Sequence, residues 1–279
     1  MKRELDRCQL IERSIHKKYR KVLWTPFIAA VKRYALIQSG DRIAVCLSGG
    51  KDSMLLAKLM QQLQKVSEVP FETIYLVMDP GYIPANRQQI EQNAALLRLP
   101  VEIFESNVFD VANSAEKNPC YLCARMRRGF LYSKARELGC NKIALGHHFN
   151  DVIETTVMAM FYGAQLQGMM PKIHSSNFPG MELIRPLYCI HEDDIIAWRN
   201  YNQLQFLQCA CEFTAHAAQA VHDSKRLEIK LLLRELRKVN PDVEKSVFSA
   251  IHSVNLDTFP GWKTRSQLHS FLEWYDERP

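Results

Sequence analysis

The sequence of 279 residues contains no uncharged apolar run long enough to cross a bilayer, and no charged-apolar-small leader opens it. We therefore expect a cytoplasmic protein without a membrane segment. It also has no internal repeat and no low-complexity segment. Eight cysteines in a reducing compartment do not indicate a disulfide framework. A hydrophobic fraction of 47% and a charged fraction of 24% are typical of a globular protein, and the net charge of +6 would assist, without requiring, a polyanionic partner.

From Arg42 onwards, short apolar runs alternate with longer runs at helical spacing. This alternation predicts an α/β fold in which a parallel sheet carries helices on both faces. The expected strands are 42–47, 73–78, 101–104, 142–145 and 183–187. The last is placed at an edge because Pro186 cannot donate to a ladder. The expected helices are 2–20, a second one before residue 38, 52–65, 85–97, 120–138, 152–162, one that starts at 191–194, and 224–239.

The division into parts follows from this pattern. We expect a helical N-terminal extension at 1–38, a sheet domain at 39–215 and a helical C-terminal region at 216–279. The predicted helices 2–20 and 224–239 are rich in Lys and Arg. A solvated face explains most of these charges, and contact with RNA phosphates is the alternative.

The first strand ends at the loop Ser48-Gly49-Gly50-Lys51-Asp52-Ser53, and a helix follows at once. Adjacent glycines let the backbone approach a ligand, and free N–H groups at a helix start suit an anion such as pyrophosphate. The glycine spacing is too short for a Walker-type loop. This loop is similar to the PP-loop of ATP pyrophosphatases. That resemblance implies a Rossmann-like, adenine nucleotide hydrolase-like domain that cleaves ATP to AMP and pyrophosphate.

Further polar residues follow two other predicted strands, at the sheet edge where parallel α/β folds bind ligands. Asp79 follows one strand, and Gly146 and Asp151 follow another. We expect these residues to share one site with the loop. His147 and His148 lie between them and are more typical of residues that hydrogen-bond their neighbours than of proton-transfer catalysts.

Four of the eight cysteines are clustered, as Cys120 with Cys123 and Cys209 with Cys211. The first pair stands at the start of a predicted helix that carries three arginines, an environment that favours thiolate. Spacing alone leaves a redox pair, a zinc site and an iron–sulfur site open. The four isolated cysteines are predicted to pack in the core.

Several segments, in order along the chain, resemble the tRNA 2-thiocytidine synthetase family, TtcA. They are 40–53, 120–132, 142–148, Asp151 with Glu154-Thr155, 160–163 and 184–187. The resemblance implies a [4Fe-4S] cluster held by three cysteines, ATP with Mg²⁺, and thiolation of a cytidine in a tRNA anticodon loop.

Matched residue by residue, Cys120 and Cys123 correspond to the family's paired cluster ligands. The third ligand is Cys211, with Cys209 as the alternative, because the family has Cys-x-x-Cys where this chain has Cys-Ala-Cys. A second departure is Asn150, where relatives commonly carry aspartate, so one carboxylate is lost from the site.

The resemblance also implies roles in the reaction. The amides of 48–53 would hold the β- and γ-phosphates, Asp52 and Asp151 would position Mg²⁺, and Arg127 or Arg128 would offset charge near the α-phosphate. The base oxygen would attack the α-phosphorus, and sulfur held at an open iron would replace the activated oxygen. The expected catalytic residues are Asp52, Asp151, Cys120 and Cys123, and Asp79 and Gly146 complete the nucleotide site. The expected partners are tRNA and a sulfur donor, either a protein of the cysteine desulfurase type or free sulfide, with a homodimer as a further option.

Three other hypotheses remain open. A PP-loop ligase or amidotransferase of the lysidine synthase type would yield no brown chromophore after anaerobic purification. A nucleotide-binding, redox-sensing regulator would bind ATP without releasing AMP when tRNA is added. A 2-thiouridine-forming relative would usually carry zinc-finger cysteines near the termini, whereas this chain has only Cys8 there and none after Cys211.

Overall fold

The structure, a computed structural model, describes residues 4–106, 119–207, 225–264 and 267–277. In the helix that begins at Pro119, side chains are described from Met126 onwards. The described helices are α1 (Arg7–His16), α2 (Thr25–Arg33), α3 (Lys51–Val66), α4 (Pro84–Leu96), α5 (Pro119–Glu137), α6 (Phe149–Gly163), α7 (Glu192–Tyr201), α8 (Lys225–Val239) and α9 (Val243–Ala250). No helix in these ranges is both long and apolar enough to cross a membrane.

A six-stranded sheet forms the centre of the molecule. Its strands are β1 (Arg42–Leu47), β2 (Glu72–Asp79), β3 (Val101–Glu105), β4 (Lys142–Ala144), β5 (Lys172–His174) and β6 (Glu182–Ile184). Their spatial order is β3-β2-β1-β4-β6-β5, and all neighbours pair in parallel except β5 with β6. A separate antiparallel hairpin joins β7 (Gly261–Lys263) to β8 (Leu268–Ser270).

Alternation along β1 separates two hydrophobic layers. Ile43, Val45 and Leu47 face a core shared with α1 to α4, whereas Ala44 and Cys46 face a second core shared with α5. Successive strand residues point to opposite faces, so a strand that is buried along its length needs helices on both sides. The predicted α/β fold with a mostly parallel sheet is therefore confirmed.

Two predictions in the fold need correction. The segment 183–187 is not an edge strand, because β6 ends at Ile184, before Pro186, and pairs on both sides. The edge belongs to β5, whose three residues are too short to stand out in the sequence. The predicted helix 2–20 ends at His16, and a π-helical turn at Arg20–Trp24 leads into α2, where Pro26 suits a helix start. The hairpin, β5 and α9 were not predicted.

Candidate active site

The loop between β1 and α3 is closed by the Ser53 hydroxyl. Its Oγ accepts the Ser48 backbone N–H at 3.1 Å and donates to the Gly50 carbonyl at 3.0 Å. No described side chain caps the start of α3. The amides of its first turn are therefore available to an anion, which the helix dipole also favours.

Two glycines set the shape of this loop. Gly49 has φ +81°, and a Cβ there would lie 2.7 Å from Ile90 Cγ1 and 2.9 Å from Leu207 Cδ1. Gly146, just after β4, lies against the start of α3, and a Cβ there would lie 3.1 Å from the Ser53 backbone nitrogen. Because both contacts are close, a larger residue at either position would displace the loop or its neighbours.

Asp52 and Asp151 bring carboxylates to the same place from two different helices. Asp151 caps α6, since its Oδ2 accepts the His148 N–H at 3.0 Å, and its Oδ1 accepts from Arg226 at 2.9 Å. His148 lies between the two acids, with Nε2 3.8 Å from Asp52 Oδ1 and Nδ1 3.5 Å from Asp151 Oδ2. The first separation is too long for a hydrogen bond, so one oxygen of Asp52 has no donor within the described residues.

A cavity of about 600 Å³ opens beside this loop at the carboxyl ends of the strands. Its lining includes polar residues from both sides of the sheet, namely Ser48, Asp52, Ser53, Arg127, Arg128, His147, Asp151 and Arg185. Three buried polar atoms that lack a hydrogen-bond partner among the described residues belong to this lining: Asp52 Oδ1, His147 Nδ1 and Arg185 Nε. Unsatisfied buried polar atoms are costly, and their convergence on one cavity is typical of a ligand site.

Burial shapes the protonation of two groups that line the cavity. Desolvation lowers the pKa of His147 to about 4, against the opposing effect of Asp151, so its imidazole is neutral at pH 7. Burial also lowers the pKa of Arg185 from its ordinary value, although a guanidinium stays charged. The cavity thus combines a neutral hydrogen-bonding ring with fixed positive charge.

The side chain of Lys51 does not line this cavity. Its ammonium lies 3.1 Å from both Asp52 Oδ2 and Glu192 Oε1, and Glu192 is held in turn by Lys230 of α8. Burial opposes ionisation of Glu192, but Lys230 and Lys51 outweigh it and lower its pKa to about 2. A chain of ion pairs therefore links the loop to α7 and α8.

The structure brings together many, though not all, of the predicted site residues. Ser48, Asp52, Ser53, Arg127, Arg128, Gly146 and Asp151 line the cavity, whereas Gly49, Gly50 and Lys51 shape the loop beside it. Asp79 is not part of the lining, because its carboxylate accepts the Gly81 and Tyr82 amides and pairs with Arg87. The side chains of Cys120 and Cys123, and the whole of Cys209 and Cys211, lie outside the described residues.

The residues missed at this site are Arg185, Arg226, Glu192 and Lys230. Arg185 lies in a segment that carries the family resemblance, and that segment was the available signal. The other three belong to charged helix faces that solvent exposure would explain equally well. Nothing local in the sequence distinguishes a cation that pairs with Asp151 from one that faces water.

The donor set at this edge suits Mg²⁺ bound together with a nucleotide. Within the described ranges, no group of three or more His, Cys, Asp or Glu side chains could hold a metal. Two carboxylates beside an anion site fit Mg²⁺, which is usually bound through one or two carboxylates plus substrate phosphates. Asp151 would have to exchange Arg226 for the metal, whereas Asp52 already has an oxygen that no described donor reaches.

Comparison with known proteins agrees with this geometry. The family described as the PP-loop domain matches residues 14–212. The tRNA-cytidine(32) 2-sulfurtransferase of Alkalilimnicola ehrlichii is 35% identical over 246 residues, which is 87% of this chain and 75% of that protein. The same-named protein of Geotalea uraniireducens is 35% identical over 229 residues, 81% of this chain and 88% of that protein.

One solved structure has the same fold. The U34-tRNA thiolase NcsA from Methanococcus maripaludis, solved with its [4Fe-4S] cluster, aligns with a TM-score of 0.65 at 20% sequence identity. The alignment covers 87% of this chain and 81% of that one, and at this identity the likeness shows the fold alone. The predicted resemblance to TtcA is confirmed by the sequence relatives. The chain belongs to the PP-loop family and, within it, to the tRNA-cytidine(32) 2-sulfurtransferases.

Proposed function

We propose that this protein is an ATP-dependent, iron–sulfur-dependent tRNA sulfurtransferase that adenylates a cytidine of the anticodon loop and replaces its 2-oxygen with sulfur. The observation that carries this proposal is the cavity beside the PP-loop, where a carboxylate, a neutral imidazole and a guanidinium each leave a buried polar atom without a partner in the described part of the chain. Membership in the tRNA-cytidine(32) 2-sulfurtransferase family supports the choice of substrate.

In this proposal the PP-loop holds the nucleotide. The first-turn amides of α3 bind the β- and γ-phosphates, while Asp52 and Asp151 hold Mg²⁺. Arg127, Arg128 and Arg185 line the cavity and offset the charge that develops on the α-phosphate. The neutral ring of His147 can hydrogen-bond an uncharged base without a competing ionic contact.

The helix that carries Cys120 and Cys123 would hold a cluster beside the same cavity. Arg127 and Leu131 of α5 line the cavity, and position 120 lies two turns before position 127 in that helix. Seven residues make nearly two full turns, so the two positions lie on one side of α5. We assign Cys120 and Cys123 as two cluster ligands and Cys211 as the third. When bound, such a cluster would present the donor-derived sulfur that replaces the base oxygen.

The sulfur source, the compartment, the oligomeric state and the domain boundaries complete the proposal. The sulfur comes from a protein of the cysteine desulfurase type or from free sulfide, and the enzyme acts in the cytoplasm, where its tRNA substrate is found. We also propose that the protein is a homodimer and that its domain boundaries lie at residues 38 and 215. Light scattering of the purified protein tests the homodimer, and limited proteolysis tests the domain boundaries.

The cysteine assignment is tested by Cys120→Ala and Cys123→Ala, each purified anaerobically. We expect both variants to lose most of their iron and sulfide while circular dichroism and ATP binding stay as in the wild type, because the PP-loop is built by other residues. Cys189→Ala, a free cysteine away from the cavity lining, is the matched control. Unchanged iron content in both variants would refute the cluster assignment.

The activity is tested by incubating tRNA with the anaerobic protein, ATP and sulfide, followed by mass spectrometry of the nucleosides. We expect 2-thiocytidine and an equal amount of AMP. ATP binding without AMP release would favour the regulator hypothesis instead. Iron-free protein that nevertheless modifies tRNA would favour a ligase of the lysidine synthase type.

A further inference from the structure

Positive charge is concentrated in one segment of this chain. Residues 13–40 contain no Asp or Glu and seven basic residues, namely Arg13, Lys17, Lys18, Arg20, Lys21, Lys32 and Arg33. The chain has 36 Lys and Arg residues and 30 Asp and Glu residues. The roughly 29 basic residues outside this segment therefore nearly balance the charge of all the acids. The net charge of +6 therefore arises from this segment alone.

These side chains are exposed, and the part of the chain that the structure describes offers them no ion pair. All seven residues are exposed, and none makes a salt bridge with a described residue. Basic residues elsewhere are often paired, as Arg87, Lys142 and Arg226 are. Uncompensated like charges repel one another, so folding gains nothing from this arrangement.

Five of the residues, Arg13, Lys17, Lys18, Arg20 and Lys21, lie close together in the sequence and form what we call the basic patch. The patch stands on a packed scaffold, because Ile15 between its members, and Ile11 and Leu23 on either side of it, are fully buried in the main core. The Tyr19 hydroxyl also donates to the Ala197 carbonyl of α7 at 3.0 Å. The charges are therefore presented by ordered backbone.

An aromatic ring and a polar depression adjoin the patch. Lys18 Nζ lies 3.7 Å from the ring centre of Tyr201, which is 53% exposed. The residues beside it line an open depression of about 500 Å³ that includes Arg199, Asn200 and Gln203. Cations beside an exposed aromatic ring are typical of surfaces that bind nucleic acid.

Helix α7 connects the patch to the candidate active site. Tyr201 at its end contacts Lys18, and Glu192 at its start pairs with Lys51 of the PP-loop. At 1.5 Å per residue, the two ends of this helix are about 14 Å apart. The patch and the PP-loop are therefore about one helix length apart, a distance that a stem-loop of RNA can span.

We infer that the basic patch binds the phosphate backbone of the tRNA substrate, with the Tyr201 ring placed to stack on an unpaired base or sugar. This inference rests on the proposed function and adds the surface by which the substrate is held. Charge complementarity and the polar surroundings favour an RNA backbone over a lipid surface.

The test compares two triple variants with the same change in net charge. Lys17→Glu/Arg20→Glu/Lys21→Glu alters the patch, and Lys238→Glu/Lys245→Glu/Lys263→Glu alters exposed lysines on α8, α9 and β7. Dissociation constants for tRNA are measured by fluorescence anisotropy from low to moderate salt. We expect the patch variant to bind at least about tenfold more weakly and its salt slope to shrink by about two, since each lost phosphate contact removes roughly 0.7.

The outcomes separate this inference from the proposed function. The control variant should bind tRNA within about twofold of the wild type, and both variants should keep the wild-type KM for ATP. If the patch variant matches the control in affinity and salt slope while the wild type thiolates tRNA, the inference fails and the function stands. If the wild type binds no tRNA, both fail. Equally tight, patch-dependent binding to anionic vesicles would also overturn the assignment to RNA.

Discussion

Glu154 is a buried carboxyl on α6, and Arg226 links it to Asp151, which lines the cavity beside the PP-loop. Burial and the nearby charge of Asp151 raise its pKa to about 7, and Lys230 and Arg226 only partly offset them. An acid whose pKa rises on folding binds its proton more tightly in the folded state. It therefore costs stability progressively as pH rises from about 4.5 to about 7.

We expect Glu154→Gln to remove this cost, because a glutamine cannot ionise. The free energy of unfolding of the wild type should fall by about 3 kcal/mol more than that of the variant between pH 4.5 and pH 8, at 1.36 kcal/mol per unit of pKa. Urea unfolding at a series of pH values measures both curves. Parallel curves would contradict the raised pKa of Glu154.

Helix α8 is the element whose basic face differs most from its predicted environment. Its basic face was predicted to be solvated, with contact to RNA as the alternative. Instead, Arg226 pairs with Asp151 and Glu154, Lys230 with Glu192, and Arg237 with Asp193 and Glu244. Its apolar side packs Ile229 and Leu233 against α6. These cations of α8 pair with acids of other helices, whereas those of 13–33 form no salt bridge with a described residue.

Among the residues of α8, Lys230 is connected to the PP-loop through Glu192, which also pairs with Lys51. Lys230→Met leaves the buried carboxylate of Glu192 with Lys51 as its remaining cationic partner, and we expect a loss of about 2 kcal/mol in the free energy of unfolding. Lys230→Arg keeps the charge and should lose less than half as much. Chemical denaturation of the two variants side by side provides the measurement, and equal stability would mean that the pair contributes nothing.

At the scale of the whole molecule, one core joins the N-terminal helices to the sheet. Leu23 and Phe27 are fully buried in the same cluster as Val45 and Val77 of the sheet and Trp198 of α7. A helical extension that merely rested on the surface would not share buried residues with the central strands. The N-terminal helices should therefore unfold together with the sheet.

The variant Leu23→Ala tests this cooperativity. We expect it to lower the free energy of unfolding by about 3 kcal/mol, as truncation of a buried leucine does, and to keep a single transition. Circular dichroism and tryptophan fluorescence should report the same midpoint. An early transition confined to one signal would show that the N-terminal helices unfold separately.

Local sequence patterns were sufficient to predict the structure wherever the signal lay within a few adjacent residues. β1 and the loop that begins α3 were predicted almost to the residue, because a buried strand, two glycines and a helix start are contiguous in the sequence. The strand β5 was not, because three residues carry too little periodicity to identify. Asp79 was expected in the nucleotide site, but its oxygens are taken by its own turn and by Arg87.

The sequence by itself determined the α/β alternation, the PP-loop, the cysteine pair and the family, since each depends on residue types at fixed short spacing. Only the tertiary structure decided which charged side chains line the cavity or pair with acids beside it. Arg185, Arg226 and Lys230 are far from the PP-loop in the chain, and ion pairing depends on distance in space, which sequence separation does not specify. The same physical reason explains why two basic segments differ: cations of α8 pair with acids of other helices, whereas those of 13–33 form no salt bridge with a described residue.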